Sequence, residues 1–102
     1  MSKTLDLAKE LISLKSVTPN DAGCQEIVAK RLKQFGFNIE NLNFGDVKNL
    51  WAILGDSGPI FAFLGHTDVV PPGPIDQWES DPFCPTEKNE LLFGRGSADM
   101  KG

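Results

Sequence analysis

Long apolar runs are missing from this sequence. No stretch approaches the roughly 20 residues that span a bilayer, which excludes a helical membrane anchor within these residues. The opening "MSKTLDLAKELISL" carries acidic residues inside its apolar pattern and no signal-peptide core, so the cytoplasm is the expected location. Basic excess is missing too: ten Lys and Arg stand against fourteen Asp and Glu, for a net charge of -4. Nucleic-acid binding needs a basic footprint and is excluded on that ground. The densest basic group, Lys30, Arg31 and Lys33, lies among Val28, Ala29, Leu32 and Phe35 and reads as the solvated face of an amphipathic helix. Cys24 and Cys84 form no CxxC pair and are expected to be free thiols in a reducing compartment. No GxxxxGK[ST] loop, GxGxxG fingerprint or GxSxG elbow occurs. Ser97 has no second histidine to serve it, because the chain has one histidine, His66. There is no repeat and no low-complexity tract.

What is present fits one small globular domain. The 102 residues are 40% hydrophobic and 24% charged. Leu5, Leu7, Ala8, Leu11, Ile12 and Leu14 have helical spacing, which predicts a helix over 4–15 with Thr4 or Ser2 as its cap. Pro19 and Gly23 interrupt the pattern. A second helix is expected over 21–35, ended by Gly36 in a left-handed cap. "FNIENLNF" and "NLWAIL" read as strands, and "GDSGP" as a turn. "IFAFLG", Ile60 to Gly65, is an unbroken apolar run, expected as a strand buried on both faces at the centre of a sheet. Residues 71–86 have no period and read as an ordered loop in which Trp78, Pro82 and Phe83 pack against the sheet. "ELLFGRG" gives a short strand and a glycine turn. The expected class is α/β, layered, with a mixed sheet, and function is expected in the loop beyond the apolar strand.

His66 begins a His-x-Asp triplet. In extended backbone, residues two apart point to one side, so Asp68 can accept a proton from one ring nitrogen while the other binds a metal. The alternative is a strand-end histidine that is simply hydrogen-bonded. Asp99 follows the small residues Ser97 and Ala98 after a short strand. It is either a carboxylate bridging two metal ions or a helix N-cap.

"GHTDVVPPG", Trp78, "DPF" and "LFGRGSADMKG" occur in that order. Together they resemble the zinc-dependent aminoacylase and carboxypeptidase family of metallohydrolases. "SVTPNDAGCQ", "GFNIE" and "NLWA" extend the likeness over nearly the whole chain, toward members that act on N-succinyl-diaminopimelate. The resemblance implies His66 and Asp99 as metal ligands, with Asp99 bridging two zinc ions, and Asp68 as the catalytic residue that orients His66. It also implies a cis Asp99–Met100 peptide. The implied reaction is amide hydrolysis that releases succinate and diaminopimelate.

The resemblance further implies that residues 1–102 are the N-terminal portion of the catalytic domain. The glutamate base, the remaining ligands and the dimerisation domain then have no counterpart among these residues. On that reading the chain alone holds zinc weakly or not at all and lacks activity. An uncovered sheet surface is expected to favour a homodimer. Two other readings stand beside it: a non-catalytic interaction module built on the same fold, and a related acyl-amino-acid deacylase or carboxypeptidase.

Overall fold

The computed structural model describes residues 2–102. Helix α1, Lys3–Ile12, starts where Ser2 accepts the Leu5 amide on its hydroxyl at 3.2 Å. Ala8, Leu11 and Ile12 form its buried stripe. It ends three residues before the spacing suggests. The Ser13 hydroxyl turns back onto the Glu10 carbonyl at 2.6 Å, and the Leu14 amide reaches Leu11 at 3.2 Å, which tightens the last turn.

Helix α2, Cys24–Gln34, begins later than residue 21 because Asp21 lies ahead of it as a cap. The Asp21 carboxylate accepts the amides of Gly23 at 3.1 Å and Gln25 at 3.3 Å. Gly36, at φ 89°, ends the helix. Its amide bonds Lys33 at 3.0 Å and the Phe37 amide bonds Leu32 at 3.2 Å, the paired bonds of a Schellman cap.

Strands β1, Asn38–Phe44, and β2, Val47–Ile53, form an antiparallel hairpin with Phe44 opposite Val47 and Asn38 opposite Ile53. Two residues close it. Gly45, with φ 59°, occupies the first central position, where a type II′ turn requires glycine. The hairpin packs against α2. A second hairpin joins β3, Thr86–Lys88, to β4, Leu91–Phe93. Asn89 and Glu90 both take positive φ, 53° and 64°, as a type I′ turn demands. Strand β3 was not expected, since three residues are too few to show a period. The 71–86 loop also contains one 3-10 turn, Ile75–Gln77.

Two sequence expectations are corrected. The sheets are two separate antiparallel pairs instead of one mixed sheet, and the only parallel pairing among the described residues is a bridge between Val17 and Val69. Ile60 to Gly65 is neither a strand nor buried: Ile60 is 90%, Phe63 92% and Leu64 99% exposed. The apolar run was legible, but a strand also needs a neighbour to take its amides and carbonyls, and no described segment pairs with this one. The radius of gyration, 15.2 Å, accordingly exceeds the about 13 Å of a compact chain of this size.

The core is small. It gathers Ala8, Leu11 and Ile12 of α1, Cys24 of α2, and Val69, with Ser16, Pro82 and Lys101 also buried. Within the 71–86 loop Pro82 is buried and Trp78 and Phe83 are half-buried. The Trp78 indole N–H donates to the Pro72 carbonyl at 3.0 Å, and the Arg95 guanidinium lies 5.1 Å from the Trp78 ring centroid. Gly94 follows β4, where a Cβ would come within 2.5 Å of the Ile12 side chain. Gly94→Ala is therefore expected to destabilise the chain by about 1–3 kcal/mol through overpacking, read as a lower urea midpoint.

Candidate metal centre

Two segments carry the candidate residues, and both are tied to the end of α1. The first runs from His66 to Val70. The Val69 amide bonds the Ser16 carbonyl at 2.9 Å, the Thr18 amide bonds the Val69 carbonyl at 3.0 Å, and the Ser16 hydroxyl donates to the Thr67 carbonyl at 2.7 Å. These bonds set residues 66–70 beside residues 16–18.

The second segment follows β4. Gly96 takes φ +90°, and a Cβ there would approach Val69 Cγ1 to 2.8 Å, so glycine serves both the turn and the close approach. The Lys101 amide returns to the Gly96 carbonyl at 2.7 Å. The Lys101 ammonium is buried and donates to the carbonyls of Leu11 at 2.8 Å and Leu14 at 2.9 Å. Burial pushes its pKa down. A cation at the C-terminal end of a helix is favoured by the helix dipole. The Asp99–Met100 peptide is cis. Met100 links the two segments, because its sulfur accepts the His66 amide at 3.4 Å.

Between these segments the candidate residues meet. His66 Nδ1 lies 3.1 Å from Asp68 Oδ1 and 3.1 Å from the Asp68 carbonyl oxygen. His66 Nε2 lies 3.2 Å from Asp99 Oδ1. The Thr18 hydroxyl donates to the other Asp68 oxygen, Oδ2. The three side chains and Thr18 border a cavity of about 220 Å³ that also touches Arg95. All three are substantially exposed, Asp99 most of all at 87%.

The electrostatics follow from these contacts. The hydrogen bond to the Asp68 carbonyl, with the negative charges of Asp99 and Asp68, raises the His66 pKa above the ordinary histidine value. The Thr18 hydrogen bond, with the nearby imidazole, holds the Asp68 carboxyl below the usual carboxylate range. A protonated ring donates both N–H groups to carboxylates. A neutral ring that keeps its proton on Nδ1 turns the Nε2 lone pair toward Asp99, an arrangement that calls for a cation.

The pair fits two corners of a tetrahedral metal site. Zinc bonds of about 2.0–2.2 Å separate neighbouring donors by about 3.4 Å, against the observed 3.2 Å. No group of three or more His, Cys, Asp or Glu suited to a metal exists among the described residues, so the site stops at two donors. Sequence reasoning found His66, Asp68 and Asp99 but missed Thr18 and Lys101. Thr18 lies 50 positions from Asp68, and no local period marks it. Lys101 reads from sequence as one more surface charge.

Residues 62–102 match the family model described as peptidase family M20/M25/M40. Over 101 residues, 99% of the chain, the sequence is 60% identical to the succinyl-diaminopimelate desuccinylase of Methylobacillus flagellatus. It is 61% identical over 102 residues, the full chain, to the protein of that name from Methylococcus capsulatus, and 59% identical over 101 residues, 99% of the chain, to that of Coxiella burnetii. In each case the matched residues are 27% of the relative. The chain thus spans about a quarter of the length of the curated relatives it matches. Both the His66 and the Asp99 loops fall inside the matched residues 62–102, whereas Thr18 and α1 precede them.

The raised His66 pKa sets a sign for pH dependence. A group whose folded pKa is raised stabilises the fold fully below its unfolded value of about 6.5. That contribution is lost as pH rises through the folded value. Urea midpoints of the metal-free chain are expected to fall across that window, and the fall is expected to vanish in His66→Gln.

Proposed function

We propose that this chain supplies part of a zinc centre for amide hydrolysis, with N-succinyl-diaminopimelate as the substrate of the whole protein. The observation that carries this reading is the approach of His66 Nε2 to Asp99 Oδ1 at 3.2 Å while Asp68 faces Nδ1. The names of the relatives support the substrate. We assign residues 1–102 to the N-terminal portion of a layered α/β catalytic domain.

In this reading His66 and Asp99 would hold the metal, with the exposed Asp99 carboxylate shared between two zinc ions. Zinc, when bound, supplies a Lewis acid and a water acidified toward neutral pH. Asp68 accepts the Nδ1 proton, which fixes the ring tautomer and directs the Nε2 lone pair into the cavity. No further carboxylate completes the cluster among the described residues. The general base is therefore unassigned, and these 102 residues alone are proposed to bind zinc weakly and to hydrolyse nothing.

Cadmium or zinc titration of the chain, followed by calorimetry, is expected to show weak binding that His66→Ala and Asp99→Ala each remove. The isolated chain is expected to release no succinate from the substrate. Turnover that His66→Ala abolishes overturns the inactive reading. The catalytic assignment is tested by graft: residues 1–102 replace the matching quarter of the Methylobacillus flagellatus enzyme. Activity is expected to survive in the graft and to be lost when it also carries His66→Ala.

The exposed Ile60–Leu64 run supports self-association of the chain. Sedimentation velocity is expected to show a concentration-dependent increase in mass that Phe63→Lys suppresses. No helix among the described residues is long and apolar enough to cross a membrane.

A further inference from the structure

We propose that Thr18 is a positioning residue that orients the His66 imidazole through Asp68. The Thr18 hydroxyl has one proton and two acceptors nearby, Asp68 Oδ2 and the Val69 carbonyl at 3.3 Å. The Asp68 contact is the shorter of the two, so the proton goes there. The Thr18 backbone cannot drift, because its amide is bonded to Val69 at 3.0 Å and Val17 pairs with Val69. A carboxylate is planar and rigid. Fixing Oδ2 on Thr18 therefore fixes Oδ1, which lies 3.1 Å from His66 Nδ1.

Without the hydroxyl, the half-exposed Asp68 carboxylate turns about a broad, roughly two-fold torsion. His66 Nδ1 then keeps only the Asp68 carbonyl as a fixed acceptor. The neutral ring moves its proton to Nε2, where Asp99 receives it and where a metal needs a lone pair. The contact stands on geometry alone. Its consequence for metal binding rests on the function proposed above.

The experiment uses the 102-residue chain labelled with 15N-histidine, in alkaline solution where the imidazole is neutral. Its single histidine gives one pair of ring nitrogen signals. The unsubstituted chain is expected to carry the proton on Nδ1. Thr18→Val is expected to shift it to Nε2, and Thr18→Ser to restore the original pattern. Cadmium affinity is expected to fall about tenfold in Thr18→Val, the low end for loss of a group that orients a ligand, and to be retained in Thr18→Ser.

An Nε2-protonated ring in the unsubstituted chain overturns the proposal whether or not Thr18→Val folds. So does a Thr18→Val chain that folds by circular dichroism and keeps the original tautomer. A Thr18-dependent tautomer in a chain that binds no cadmium upholds the positioning role and removes the metal reading instead.

Discussion

The Lys101 ammonium rests between two carbonyls at the C-terminal end of α1. The Leu11 carbonyl also accepts the Leu14 amide at 3.2 Å and the Leu14 carbonyl accepts the Ser16 amide at 2.8 Å, so the ammonium joins a turn that is already hydrogen-bonded. Lys101 adds a charged donor to both carbonyls and in doing so brings the segment containing Asp99 onto the core. Ser16 and Thr18, a few residues further along, bind the segment containing His66. The two donors therefore share one anchor although they lie on separate loops. Only a few side chains are fully buried, so this polar anchoring matters more here than it does in a domain with a large apolar core.

Much of this was legible in the sequence where chemistry is local. The apolar spacing of Leu5 to Leu14 located α1, and Gly36 located the end of α2, because only glycine readily takes the φ that a Schellman cap needs. The His-x-Asp spacing was enough to place Nδ1 beside a carboxylate, and the structure puts the two 3.1 Å apart. What failed were inferences that needed a partner elsewhere. The run Ile60–Gly65 has the composition of a buried strand, but composition says nothing about which segment lies beside it. Strand β3 was missed because its pairing with β4 depends on the Asn89–Glu90 turn, where neither residue is glycine. Thr18 was missed because its relation to Asp68 exists only after folding.

The site balances three charged groups with few fixed partners. Asp68 is held on both oxygens, by Thr18 and by His66. Asp99 has His66 on one oxygen and solvent around the rest. This asymmetry matches two different tasks. A group that orients another must not move, whereas a group that receives an incoming ion must be reachable. A proton and a metal ion compete for the same Nε2 position, and the His66 basicity is raised first by the Asp68 carbonyl and then by the two flanking carboxylates.

The β1–β2 hairpin has a different relation to all of this. It packs against α2, and its Gly45–Asp46 tip is exposed. None of the hydrogen bonds that set His66, Asp68 or Asp99 comes from it. The tip is thus mechanically uncoupled from the chemistry. Loop tips of this kind accept inserted sequence with little effect elsewhere, which makes Gly45–Asp46 the natural place for a tag or a fused domain, carried by the molecule without disturbing the loops that meet at His66.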